Sequence, residues 1–270
     1  MTSAPADPFA GTPPALRVAG WDAIEGLAHG FFGRAGGVSG GPLAALNVSE
    51  RVGDYPWKVG ANWALAARAL PGLRAVRMQQ VHGARVVRVD APTQEVGEAD
   101  AMFTATPGVG LAVLTADCVP LLGVAPAHGA VLAVHAGWRG TLAGVAAAAV
   151  AAATAALAIP PAAWRLALGP AIGGCCYEVE ADIGARLVAQ WGPMPDAWRP
   201  RGGRGQLDLR AANRAILTAS GVPGEQIFDL GPCSNCAHEH YFSHRASRGT
   251  AGRQLSLIGL AGASPWAPVG

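Results

Sequence analysis

Three apolar runs at 110–115, 119–124 and Ala130–Ala136 crowd the middle of the chain and are rich in Val and Leu. Runs this short with so few polar interruptions predict strands buried on both faces. The segment 27–33 predicts an earlier strand ending in the glycine turn Arg34-Ala35-Gly36-Gly37, and 164–169 a later one. At 85–90, Val mixes with Arg, which suits a half-buried strand. Helical patterns cover 56–70, 138–157, Ala181–Trp191 and 208–219. Pro56 suits a first helical turn, Pro71-Gly72 stops that helix, and Asp208 is the expected N-cap of the last one. The region 227–260 reads as strand and loop. The order is not a regular strand–helix alternation, so a Rossmann or TIM topology is not expected. The expected fold is α/β or α+β, a single domain with a mixed β-sheet core flanked by helices.

Composition limits the remaining choices. The 270 residues are 51% hydrophobic, enough for one sizeable core. A short disordered lead-in is expected over 1–14 and one domain over 15–270. The formal net charge of +2 does not suit a nucleic-acid surface. The uncharged stretch 142–159 reaches transmembrane length, but it is mostly Ala, which favours helix while adding little apolar area. A tightly packed soluble helix is expected there, with no membrane span. Five cysteines, two of them adjacent, do not make a disulfide framework. Reduced thiols point to a reducing compartment, and the N-terminus lacks a basic and an apolar signal region. A cytoplasmic protein, monomeric or a small homo-oligomer, is expected.

The chemistry concentrates at ends of the predicted strands. His82 lies in Gln79-Gln80-Val81-His82-Gly83, Cys118 in Thr115-Ala116-Asp117-Cys118-Val119-Pro120, and His135 in Val134-His135-Ala136-Gly137-Trp138-Arg139-Gly140. Two imidazoles and a thiolate make a good zinc set and leave a fourth position open, as a catalytic zinc requires. Asp117 is a candidate to orient a ligand or act as general base. Cys175 and Cys176 read as packing residues. Cys233-Ser234-Asn235-Cys236, followed by His238 and His240, has spacing that suits zinc, but a second metal site is not expected there.

The segments QQVHG, TADCVPLL, AVHAGWRGT, GPAIGGCCYEVE and YFSHR…GR resemble the laccase-domain proteins, once called multicopper polyphenol oxidases and now described as zinc-dependent purine nucleoside phosphorylases with adenosine deaminase activity. FFGRAGGVSGG, LNV and VGD resemble them too, so the likeness runs from about Phe31 to Leu260. The resemblance implies that His82, Cys118 and His135 hold Zn2+, with copper as a conceivable substitute. It implies phosphorolysis of adenosine, inosine or methylthioadenosine, with purine nucleoside and phosphate as partners. Arg34, Asn47, Gln80, Arg139, Tyr177, Ser243 and Arg245 are the expected substrate contacts. His244 stands where the family usually has Tyr, and Ala246 where it has a second Arg. Two other readings use the same residues. One is a Cys-dependent amidase editing peptidoglycan precursors, with Cys118 as nucleophile. The other is a copper polyphenol oxidase, for which the chain carries few further histidines outside the triad.

Overall fold

The computed structural model describes residues 12–262. Its first half holds β1 (Ala15–Leu16), β2 (Leu27–Phe32), α1 (Pro56–Ala69), β3 (Arg74–Arg77), β4 (Val86–Arg88), β5 (Ala101–Thr104), β6 (Val109–Thr115), β7 (Val119–Ala125) and β8 (Ala130–Ala136). Then follow α2 (Trp138–Leu142), α3 (Val145–Leu157), β9 (Arg165–Leu168), β10 (Glu178–Glu180), α4 (Ala181–Trp191), β11 (Trp198–Arg201), β12 (Arg204–Leu207), α5 (Leu209–Ala219), β13 (Ile227–Asp229) and β14 (Gln254–Leu260).

Alternation along the central strands explains how they pack. In β6, Val109, Leu111 and Val113 enter one core while Ala112 and Leu114 enter another. In β7 and β8, Leu122, Val124, Val131 and Ala133 join the first of these, and Leu121, Leu132 and Val134 point the opposite way. Both faces of each strand are therefore buried, which is why these strands read as continuous apolar runs. Two mixed sheets result. One is five-stranded in the order β1-β2-β14-β6-β3, and the other six-stranded in the order β13-β9-β7-β8-β5-β4. They pack face to face across the shared core of Phe31, Leu111, Ile258, Met102, Leu122 and Val131. The outer face of the five-stranded sheet is covered by α1 through Leu65, Ala66 and Leu70. That of the six-stranded sheet is covered by α3 and α5 through Val145, Ala149, Val150, Ile216 and Leu217. The α+β class and mixed sheets match the expectation, with the core made of two large sheets. A third, antiparallel sheet of β10, β12 and β11 was not expected from the sequence.

The expected long helix over 138–157 is two helices. Gly144, at φ 75°, turns the chain between α2 and α3 in the left-handed region open to glycine. A Cβ there would also lie 2.5 Å from the Trp191 ring, whose Nε1 donates to Leu142 O at 2.9 Å. Asp208 caps α5 as expected, accepting from Arg210 N at 2.9 Å and Ala211 N at 3.1 Å. No helix of the described residues is long and apolar enough to cross a membrane. Most of the expected lead-in, residues 1–11, lies outside the described residues, while Pro13 is buried.

Candidate metal centre

Two connections that cross from one large sheet to the other carry two of the three candidate ligands. His82 lies between β3 and β4, and Cys118 between β6 and β7. His135 comes from β8 itself, paired with Pro120 of β7. It shares the parity of Val131 and Ala133, so its side chain lies on the face turned toward the other sheet. The ligand atoms of the three residues all lie within 4.8 Å of one another. The two imidazoles meet edge to face, with centroids 4.8 Å apart, and Cys118 Sγ is 3.9 Å from His82 Nε2.

The backbone is held open for this arrangement. His82 has φ 62° and Asp117 φ 84°, conformations that side-chain-bearing residues adopt rarely and that cluster at functional sites. Gly137 must lack a side chain, because a Cβ would lie 2.8 Å from His82 Cδ2 and 3.0 Å from Cys118 Sγ.

The residue that orients the cluster is Asp100, which the sequence did not single out. It is fully buried and precedes β5, the neighbour of β8. Its carboxylate accepts from His135 Nδ1 at 2.8 Å, His82 N at 2.9 Å and Gly83 N at 2.6 Å. Burial pushes the Asp100 carboxyl up, but the bonds from His135 and the backbone amides hold it below the usual carboxylate range. With Nδ1 committed to Asp100, His135 Nε2 is left to face the thiol, as metal-ligating histidines do. Burial raises the Cys118 thiol, yet the bonds and charge of His135 and His82 outweigh it and bring the group down to about 6. His135 is depressed by burial but raised more by Asp100 and Cys118, to about 9. Each group thus favours the ionised form of the other, the thiol lowered and the imidazole raised. His135 is buried, Cys118 half-buried and His82 exposed, so the cluster has one sealed side and one reached by solvent. Two nitrogen donors, one thiolate and a carboxylate behind the buried imidazole fit a thiophilic divalent metal.

The family model of the multi-copper polyphenol oxidoreductase laccases matches residues 28–261. The chain belongs to this laccase-domain family. It is 39% identical to the purine nucleoside phosphorylase YlmD of Geobacillus stearothermophilus, over 87% of this chain and 91% of that protein. It is 42% identical to a purine nucleoside phosphorylase of Deinococcus radiodurans, over 86% and 88%. The crystal structure of the Geobacillus stearothermophilus YlmD superposes with a TM-score of 0.85 at 36% identity, covering 93% of this chain and all of that one. The Bacillus licheniformis YfiH structure gives 0.85 at 30% identity, covering 93% and 98%.

For a laccase-domain protein the remaining expected contacts divide sharply. Asn47 is fully buried and uses its amide within the protein, donating to Ser49 O and Asp54 Oδ2 and accepting from Ser49 N and Arg253 N. These bonds organise the loop around Asn47. Gln80 is likewise engaged within the protein. Its amide clasps both backbone groups of Leu114, at 2.7 and 2.9 Å, continuing the sheet beyond the last β3–β6 pair, Arg77↔Ala112. Arg34 donates to the carbonyls of Ala44, His238 and Pro42 and stacks on Phe242, so it braces two loops. Ser243 is buried and shapes a turn by accepting from Ala246 N at 3.1 Å. Asp117, adjacent to Cys118 in sequence, is engaged by the loop that follows β13. Its two oxygens accept from Ser234 Oγ at 2.6 Å and Arg245 N at 2.7 Å, tying the 231–249 region to the Cys118 turn.

Tyr177, Arg245 and Arg139 do gather near the cluster. The Arg245 guanidinium lies 5.3 Å from the Tyr177 ring centre. Burial pushes the Tyr177 phenol up to about 12, with Cys118 and Asp117 adding to the rise and Arg245 and Arg139 opposing it. Arg139 is exposed and stacks on Trp138 at 4.4 Å. Arg253, half-buried, also lies within electrostatic reach of Cys118 and Asp117. It entered the sequence reading only as the end of a motif. Cys175 and Cys176, expected to pack inside, instead stand beside Cys236 near the surface.

Proposed function

We propose that this protein is a zinc-dependent purine nucleoside phosphorylase acting on adenosine, inosine or methylthioadenosine, in the cytoplasm. The observation that carries the reading is the His82–Cys118–His135 cluster, backed by Asp100 and open on the His82 side. The names of its relatives supply the substrate class. Zinc would be held by His82 Nε2, Cys118 Sγ and His135 Nε2, where it supplies Lewis acidity to a substrate oxygen or nitrogen. A phosphate oxygen attacks the anomeric carbon as the bond to the purine nitrogen breaks. The base leaves with the bonding electrons and takes a proton, and the sugar is released as its 1-phosphate. Arg139 and Arg245 supply the positive charge that draws phosphate to this rim. Tyr177 stays a neutral phenol at working pH, able to stack on the base and donate one hydrogen bond. Asp100 keeps the imidazole of His135 in one tautomer. Hydrolytic replacement of the adenosine amino group by water, with release of ammonia, is the expected second activity.

The pairing of Cys118 with His135 gives the amidase reading a foothold, since thiol–imidazole pairs also serve as nucleophile and base. That reading needs Cys118 free of metal. A copper oxidase needs further histidine-rich sites, and among the described residues the metal-binding groupings are this triad and one of four cysteines.

The test is a paired assay of zinc-loaded protein with adenosine or inosine, with and without phosphate, products being resolved by chromatography. Free base that appears only with phosphate, and not with Cys118→Ala, is the expected result. Conversion of adenosine to inosine alone would make the protein a deaminase. Zinc binding with neither reaction would remove the nucleoside reading.

A further inference from the structure

Four of the five cysteines of the chain gather at one place, and the fifth is Cys118. Cys175 and Cys176 lie between β9 and β10, and Cys233 and Cys236 between β13 and β14. All four sulfur atoms lie within 4.8 Å of one another. Cys236 Sγ is 3.3 Å from Cys176 Sγ and 3.8 Å from Cys175 Sγ. Four thiolates about 2.3 Å from a tetrahedral zinc stand about 3.8 Å apart. The cluster already has the dimensions of a four-sulfur site.

The backbone around Cys233 is shaped for a charged sulfur. Gly173 N donates to Cys233 Sγ at 3.2 Å. An N–H directed at a sulfur suits a thiolate, because bonds to an ionised acceptor are the strong ones. The two loops are also held in register away from the sulfurs. Ala171 and Cys233 form a parallel bridge, and Ser234 N donates to Ala171 O at 3.0 Å. The histidines that follow in sequence are not part of the group, and His238 Nδ1 lies against Asn235 O at 3.1 Å.

We propose that Cys175, Cys176, Cys233 and Cys236 bind a second zinc ion in a closed all-sulfur site, separate from the His82–Cys118–His135 centre. Four soft donors at tetrahedral spacing select zinc over the oxygen-seeking magnesium, calcium and manganese. With every position filled by protein the ion is structural, and its place in the fold says what it steadies. Ser234, inside the Cys-x-x-Cys turn, holds Asp117 beside Cys118. Arg245 donates to Cys176 O at 3.2 Å and stacks on Tyr177. The ion therefore clamps the two loops that form the rim of the other centre.

The proposal does not depend on the nucleoside reading, and its test uses no activity. Metal content is measured on full-length protein purified under reducing conditions, for wild type, Cys118→Ala, Cys236→Ser and the Cys233→Ser/Cys236→Ser pair. The expected result is about two zinc ions per chain in wild type and about one in each variant. Cys236 is exposed, so Cys236→Ser is the substitution the fold tolerates best, and circular dichroism checks each variant. Cobalt-substituted Cys118→Ala should show strong sulfur-to-metal absorption in the near ultraviolet, lost on adding Cys236→Ser. A folded Cys118→Ala protein without metal, or a folded Cys236→Ser protein that keeps both ions, would overturn the site. So would a Cys176–Cys236 disulfide found by alkylation and mass spectrometry in that reduced preparation.

Discussion

At the residue scale, the metal cluster depends on one carboxylate and one missing side chain. Asp100 fixes His135 and also gathers the amides of the His82 turn, so Asp100→Ala removes the orienter of one ligand and the anchor of another. Loss of such an outer partner lowers metal affinity by roughly 10–100-fold. Competition with a chromophoric chelator measures it, and unchanged affinity would remove Asp100 from the account. Gly137→Ala forces a methyl against His82 and Cys118. Zinc affinity should fall by at least a comparable factor, because the clash falls directly on two of the candidate ligands. The three candidate ligands, which the structure brings together, were legible because each sits in a distinctive segment at a strand end. Asp100 was not, since nothing beside it in sequence marks it. Only the β5–β8 pairing, Ala101↔Val134, brings it against His135. Asn47 and Gln80 show a different limit, since the structure engages both amides within the protein. A polar amide in a loop looks the same in sequence whether it serves a ligand or an otherwise unpaired backbone group.

At the element scale, the Ala-rich run that ends at Leu157 hides a break made just before Val145. Ala143 and Gly144 separate α2 from α3, and the ring that crowds Gly144, Trp191, lies on α4, far along the chain. The strand β2 carries a titrating group with a stability consequence. His29 is fully buried, accepts from Val18 N at 2.9 Å and lies against Trp21. Burial, aided by Arg17 and opposed by Asp22, lowers its pKa from 6.5 to about 4. The folded protein therefore resists a proton that the unfolded chain accepts. Stability from this group is complete above about pH 6.5 and is lost as pH falls toward 4, about 3 kcal/mol in all. Denaturant unfolding across that range should show the decline, and His29→Phe should flatten it. An equal decline in the variant would assign it to other groups.

At the scale of the whole molecule, the apolar runs announced strands buried on both faces, and the helices were found near their true places. That the strands divide between two large sheets was not legible, because strand partners are chosen by contacts distant in sequence. β3 and β14 both flank β6 from opposite ends of the chain. The division matters for function, since the connections crossing between the sheets carry His82 and Cys118. The same sandwich brings the region between β13 and β14 over the cluster through Asp117, and with it Arg245. The candidate metal ligands, positive charge and a phenol then lie along one rim, the arrangement on which the proposed phosphorolysis rests. Phosphorus NMR of the zinc-loaded protein with inosine and inorganic phosphate tests that claim most directly. The account predicts a growing sugar 1-phosphate signal, matched by loss of inorganic phosphate and absent with Cys118→Ala. An unchanged phosphate signal while inosine is consumed, or while nothing is consumed, would contradict it.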